Sequence, residues 1–128
     1  AFQNCTSLTE VKLPDALIEL NSGVFSGCTG LTSVTIPDNV NSIGYAAFSR
    51  CTGLTSMNYL GTIDQWVQIS FGDAEANPTC YTKKLVVNGK EVTDAVISDS
   101  VTSISRFSFA DCRIYTFCDR NGIYLFSK

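Results

Sequence analysis

Histidine is absent from the 128 residues. Its absence removes Ser-His-Asp and Cys-His catalytic arrangements and the commonest transition-metal ligand. Charge is scarce as well. Nine basic and 12 acidic residues make up 16% of the chain and leave a net charge of −3. That is too little, and of the wrong sign, to drive binding to nucleic acid or to anionic membranes. No run approaches the ~18 apolar residues of a spanning helix. No basic stretch followed by an apolar core marks a signal peptide. The six cysteines contain no C-x-x-C pair, which excludes a zinc-ribbon framework. The chain opens at Ala1-Phe2, in the middle of a pattern, which predicts a cut-down or processed fragment. The missing leader therefore says nothing of compartment.

What is present is a repeat. Hydrophobic residues make up 45% of the chain, ample for a packed core, and they recur every 23 residues. Phe2, Phe25 and Phe48 form one column, and Cys5, Cys28 and Cys51 another. Leu8, Leu31 and Leu54 follow, then Val11, Val34 and Met57, then Leu13, Ile36 and Tyr59. A fixed period of this size predicts a stack of coils, because a unit so short cannot bury its apolar face alone. Within each unit, Leu31-Thr-Ser-Val34-Thr-Ile36 ends in apolar–polar alternation, the mark of a strand with one buried face. Pro37 lacks the donor that a ladder needs, so the strand stops there, and Asp38-Asn39 supplies turn chemistry. Val40 and Ile43 then point back inward on a turn or short helical segment.

The strings Ala47-Phe48-Ser-Arg-Cys51-Thr-Gly-Leu54 and Val34-Thr-Ile36-Pro37-Asp-Asn-Val40-Asn-Ser-Ile43-Gly44 resemble the leucine-rich repeat superfamily. In detail they are similar to the BspA-like bacterial surface subclass, with consensus A-F-x-x-C-x-x-L-x-x-I-x-I-P-x-x-V-x-x-I-G. The resemblance implies an α/β, β-rich, right-handed solenoid of about five rungs. Regular repeats fill 1–60, a variant rung with helix, loop and hairpin fills 61–94, a regular repeat fills 95–112, and a terminal rung or cap fills 113–128. It further implies a non-catalytic module of a cell-surface or secreted bacterial protein, engaged in adhesion or host-protein binding. Fold alone does not set function, and a passive spacer array is the rival reading.

The pattern changes after Tyr59. Ile63, Trp66 and Phe71 lie 23 residues after Val40, Ile43 and Phe48, so the frame is expected to persist to Phe71. Thr62 and Gln65 form a capping box for a short helix over 61–69, with Ile63, Trp66 and Val67 on one face. Gly-Thr-x-x-Gln-Trp also resembles a variant repeat of the same subclass. Beyond it, Ile97, Val101, Ile104, Phe109 and Cys112 lie 61 residues after Ile36, Val40, Ile43, Phe48 and Cys51. Two periods make 46, leaving 15 extra residues. These are placed in a polar loop, Gly72–Thr79, and in a hairpin over Lys84–Thr93 turned by Asn88-Gly89. Ile114, Tyr115 and Phe117 stand where the next strand belongs, one residue short. Asn121-Gly122 and Ile123–Phe126 fit a terminal hairpin and a truncated rung equally.

Candidate chemistry is thin. Cys5, Cys28, Cys51 and Cys112 share a column and are expected as reduced core thiols, since parallel side chains on stacked strands do not meet disulfide geometry. Cys80 and Cys118 lie outside it, and a bridge between them is open. Asn4-Cys5-Thr6 matches a glycosylation sequon but coincides with the buried column. Trp66 reads as core rather than as an exposed anchor. Asp73, Glu75 and Asn77 lack the full calcium-loop spacing and read as a solvated loop. No metal or cofactor is expected. The outward strand positions carry the most functional weight: Glu10 and Lys12, Ser33 and Thr35, Ser56 and Asn58, Lys84 and Val86. They would line a concave face for a protein ligand of a monomeric chain, outside the cell, with neither nucleic acid nor an inserted membrane as partner.

Overall fold

Each L-x-x-V-x-I segment becomes a strand parallel to its counterpart in the next repeat. The computed structural model describes residues 2–111 and the backbone of Thr116–Asp119. Strands β1 (Glu10–Lys12), β2 (Glu19–Leu20), β3 (Ser33–Ile36), β4 (Ser42–Ile43) and β5 (Ser56–Tyr59) come first. Helix α1 (Ile63–Trp66), β6 (Ser70–Phe71), a 3-10 turn at Ala74–Ala76 and helix α2 (Thr79–Thr82) follow. The chain continues through β7 (Val86–Val87), β8 (Lys90–Glu91), β9 (Asp94–Ile97) and β10 (Thr116–Asp119). Glu10, Ser33 and Ser56 are in register, as are Val11, Val34 and Met57, so the 23-residue period is the rise of one coil. The main sheet runs β1-β3-β5-β7-β8.

The Val40–Ile43 segment is extended, not helical. β2, β4 and β6 pair in parallel as a second, three-stranded sheet on the other wall of the stack. Two residues per repeat, with Ile43 inward and Ser42 outward, are too few for a helical turn but enough for a ladder step. Between the two sheets lies the apolar interior. Phe25, Cys28, Leu31, Val34, Ile36 and Ile43 are all fully buried.

The turn that carries phenylalanine is built on its own ladder. The Phe25 ring stacks on both Phe2 and Phe48, with centroids 5.6 Å apart in each case. Cys28 Sγ donates to Phe2 O at 3.0 Å and Cys51 Sγ to Phe25 O at 3.1 Å, so each thiol ties its repeat to the one before. The chain reverses there through left-handed residues at Asn4, Gly27 and Arg50, with φ of 61°, 77° and 60°. A Cβ on Gly30 would meet Thr6 O at 2.2 Å, and one on Gly53 would meet Thr29 O at 2.5 Å. Gly30→Ala and Gly53→Ala are therefore expected to cost about 1–3 kcal/mol each by overpacking. Ser7→Ala, in the same column of the first repeat and exposed, should stay within about 0.5 kcal/mol. Urea melts of the three variants check this.

The frame slips earlier than the sequence spacing predicts. Ile43 pairs with Phe71, an offset of 28 rather than 23, and Tyr59 pairs with Val87 at the same offset. The cause is α1, whose capping box forms as expected: Gln65 N donates to Thr62 Oγ1 at 3.2 Å, and Thr62 N to Gln65 Oε1 at 2.9 Å. A helix advances about 1.5 Å per residue against about 3.3 Å for a strand, so crossing the same span takes more residues. The helix is shorter than expected and ends at Trp66.

The polar loop expected at Gly72–Thr79 is instead packed. Ala76, Asn77, Pro78 and Thr79 are all buried. Its polar groups carry the ladder that the phenylalanine turns carried before. In the regular repeats Gly23 N, Phe25 N and Gly27 N donate to the carbonyls of Tyr45, Ala47 and Ser49. In the next layer Ala46 N donates to Asp73 Oδ1, Phe48 N to Glu75 O, and Arg50 N to the Tyr81 hydroxyl. On its far side the variant repeat donates through side chains. Asn77 Nδ2 reaches Phe107 O and Ser108 O, Trp66 Nε1 reaches Ser108 O at 2.7 Å, and the Thr79 hydroxyl reaches Ala110 O. The hairpin forms as predicted, with Asn88 and Gly89 at φ of 50° and 83°. β10 pairs with β9 in parallel at an offset of 22, one short of the period as the apolar spacing implied.

Candidate interaction surface

The strand pairing sets the outward face of the main sheet. Glu10, Ser33 and Ser56 fall in one row and Lys12, Thr35 and Asn58 in the next. The 28-residue offset of β7 continues these rows to Lys84 and Val86. Lys84 itself precedes the strand rather than lying in it. Glu10, Lys12, Ser56 and Lys84 are exposed, while Ser33, Thr35, Asn58 and Val86 are half-buried. All eight residues thus share one surface, but not all are free. Asn58 Oδ1 accepts from Gly89 N at 2.9 Å and pins the hairpin to the sheet. Lys84 Nζ lies 3.9 Å from Glu91 Oε1, an exposed pair of little energetic weight.

Beside this face runs a line of exposed threonines that the sequence reading did not single out. The Thr32 hydroxyl donates to Thr9 O at 3.0 Å, and that of Thr55 to Thr32 O at 3.3 Å. Their 23-residue spacing was the available signal.

The other candidates resolve into structure. Trp66 is fully buried between Tyr59 and Phe71, with centroids 5.0 and 5.3 Å away. Asp73 accepts from Ala46 N, and the Glu75 carboxylate accepts from the Ser49 and Tyr81 hydroxyls. Asn77 Oδ1 accepts from Thr79 N. These acceptors serve the fold, and no group of three metal-ligating side chains occurs among the described residues. Asn4 of the sequon is exposed, not buried as its column suggested, because it flanks the inward Cys position. Cys5 is half-buried, whereas Cys28 and Cys51 are fully buried. Cys80 is half-buried and free. Cys112 and the side chain of Cys118, hence the bridge considered between Cys80 and Cys118, lie outside the described residues.

Burial pushes the Cys51 thiol up to about 11, and the neighbouring Cys28 adds to the rise. Burial likewise raises Cys28 and Cys80, and lifts the Tyr59 phenol to about 12. A thiol held protonated is a poor nucleophile, so Cys28 and Cys51 should resist a thiol-specific disulfide reagent at pH 8 in the native protein and react on unfolding. The same shifts set a pH dependence. The folded state keeps protons that the unfolded chain releases, so stability is full below pH 9 and falls as pH rises from about 9 to 11 through Cys51. A further fall follows from about 10 to 12 through Tyr59. Thermal melts across that range should show the decline, and Cys51→Ala should flatten its first part.

The family model described as BspA type Leucine rich repeat region (6 copies) matches residues 82–118, the segment that spans the hairpin, β9 and most of β10. No curated protein and no solved structure matches the chain. Among the described residues, no helix is long and apolar enough to cross a membrane.

Proposed function

The chain is a BspA-like leucine-rich repeat protein, and from that premise we propose a non-catalytic interaction module that binds a protein ligand through the outward face of the main sheet. In this reading the coils form a right-handed solenoid of about five rungs, and the module acts as a monomer at the cell surface or outside the cell, in adhesion or host-protein binding. The observation that carries it is the pair of rows Glu10-Ser33-Ser56 and Lys12-Thr35-Asn58, held in register on a backbone ladder. A rigid platform of short polar side chains loses little conformational entropy on binding, so many weak contacts can add. The uninterrupted Ser and Thr of its centre also favour a second reading, a spacer array with no ligand.

Biosensor binding to purified extracellular-matrix proteins separates the two. Thr35→Arg and Ser56→Arg should abolish any binding seen, whereas Glu19→Arg on the second sheet should leave it unchanged. Loss with Glu19→Arg alone, or binding unaffected by both sheet variants, would remove this face from the site. No retention of any matrix protein favours the spacer.

A further inference from the structure

The tip of the β7–β8 hairpin presents Asn88-Gly89 to water. Both residues are exposed, and no atom lies within 4 Å of where a Cβ on Gly89 would sit. The amide carbon of an asparagine is open to attack by the backbone nitrogen that follows it, and glycine puts no side chain in the way. In the closed hairpin, however, both reacting groups are engaged elsewhere. Gly89 N donates to Asn58 Oδ1 at 2.9 Å, and Asn88 Nδ2 donates to Gly61 O at 2.9 Å. Asn88 N donates to Tyr59 O at 2.8 Å. The nucleophile and the leaving group are thus each tied to the segment around β5 rather than turned toward each other.

We propose that Asn88 is a site of spontaneous deamidation, gated by the contact between Gly89 and Asn58. While the hairpin lies on β5 the amide is protected. When it lifts, Gly89 N loses its proton to solvent base and its electron pair forms a bond to Asn88 Cγ. The Cγ–Nδ2 bond breaks, and the nitrogen takes up a proton from water and leaves as ammonia. Water then opens the cyclic imide at either carbonyl, giving aspartate or isoaspartate. The net reaction consumes water and releases ammonia, with nothing oxidised or reduced.

Neither product closes again as before. Aspartate has no N–H for Gly61 O and sets a charged oxygen against that carbonyl. Isoaspartate adds a methylene to the backbone, which breaks the alignment of Val86 with Glu91 and of Val87 with Lys90. The change is one-way, and it acts on the hairpin whose first strand carries Val86.

Incubation of the full chain at pH 8, followed by peptide mapping and an isoaspartate assay, tests the gate. Cleavage after Lys84, Lys90 and Arg120 puts Asn88 and the other Asn-Gly pair, Asn121-Gly122, in separate peptides. Asn88 should deamidate at least about tenfold faster in urea than in the folded protein, a comparison that needs no variant. Asn58→Ala should raise the folded-state rate about three- to tenfold, the worth of one hydrogen bond. Asn58→Asp, which keeps an acceptor oxygen for Gly89 N, should stay within about twofold of the unaltered protein. Asn41-Ser42, beside the second sheet and read in the same digest, should not change. Equal rates in the folded and unfolded protein, or no effect of Asn58→Ala, overturns the proposal. So does an equal rise at Asn41, which would make the effect one of general unfolding.

Discussion

Phe25→Ala is expected to lower folding stability by about 3–5 kcal/mol. The ring is fully buried and stacked on a neighbour on each side, so its removal deletes two aromatic contacts and leaves a cavity in the middle of a column. The phenylalanine turn cannot collapse into that space, because Gly27 N and Phe25 N are hydrogen-bonded to the next repeat and the Cys28 thiol to the previous one. Phe2→Ala removes the same chemical group from a site 48% exposed, with one stacking partner among the described residues. Its cost should be no more than about 1 kcal/mol. Urea denaturation of the two variants gives the comparison. Similar losses would mean that the column is not the continuous stack described above.

The second large effect belongs to Asn77, a polar residue with no exposed surface. Its amide nitrogen serves the carbonyls of Phe107 and Ser108, and its oxygen serves Thr79 N. Asn77→Ala strands Thr79 N away from water, while Phe107 O keeps Ala110 N and Ser108 O keeps the Trp66 indole. One orphaned buried donor predicts a loss of about 1–3 kcal/mol. Asn77→Asp carries a separate signature. An ionised carboxylate would face two carbonyl oxygens, so its folded-state pKa must rise above the unfolded value. The defect should be greatest at neutral pH and should shrink as pH falls through the raised pKa, when the acid gains a proton to donate. Melts of this variant at pH 7 and pH 4.5 measure it. A pH-independent loss would indicate that Asn77 acts by shape alone.

Asn77 also marks the limit of what could be read from the chain. Its neighbourhood, Asp73 to Thr79, looks polar and loop-like, and nothing in the order of residues says that it is buried. Burial follows from a requirement set elsewhere, because the donors at Ala46, Phe48 and Arg50 and the acceptors at Phe107, Ser108 and Ala110 must all be met. Such demands come from groups 27 to 31 residues away and have no local pattern. The same is true of the slip at Phe71. Sequence spacing kept Phe71 in line with Phe48, but α1 consumed extra residues and brought Phe71 beside Ile43.

By itself, the sequence determined the repeat, the inward columns of Phe, Cys, Leu, Val and Ile, the capping box at Thr62 and the hairpin at Asn88-Gly89. Each rests on periodicity or on contacts within a few residues, and those are written along the chain. The tertiary structure alone decided the second sheet, the 28-residue offset, the burial of Asn77 and the tie between Asn58 and the hairpin. These depend on which backbone groups of one coil remain unsatisfied when the next is laid against it, and that becomes defined only once the coils are stacked.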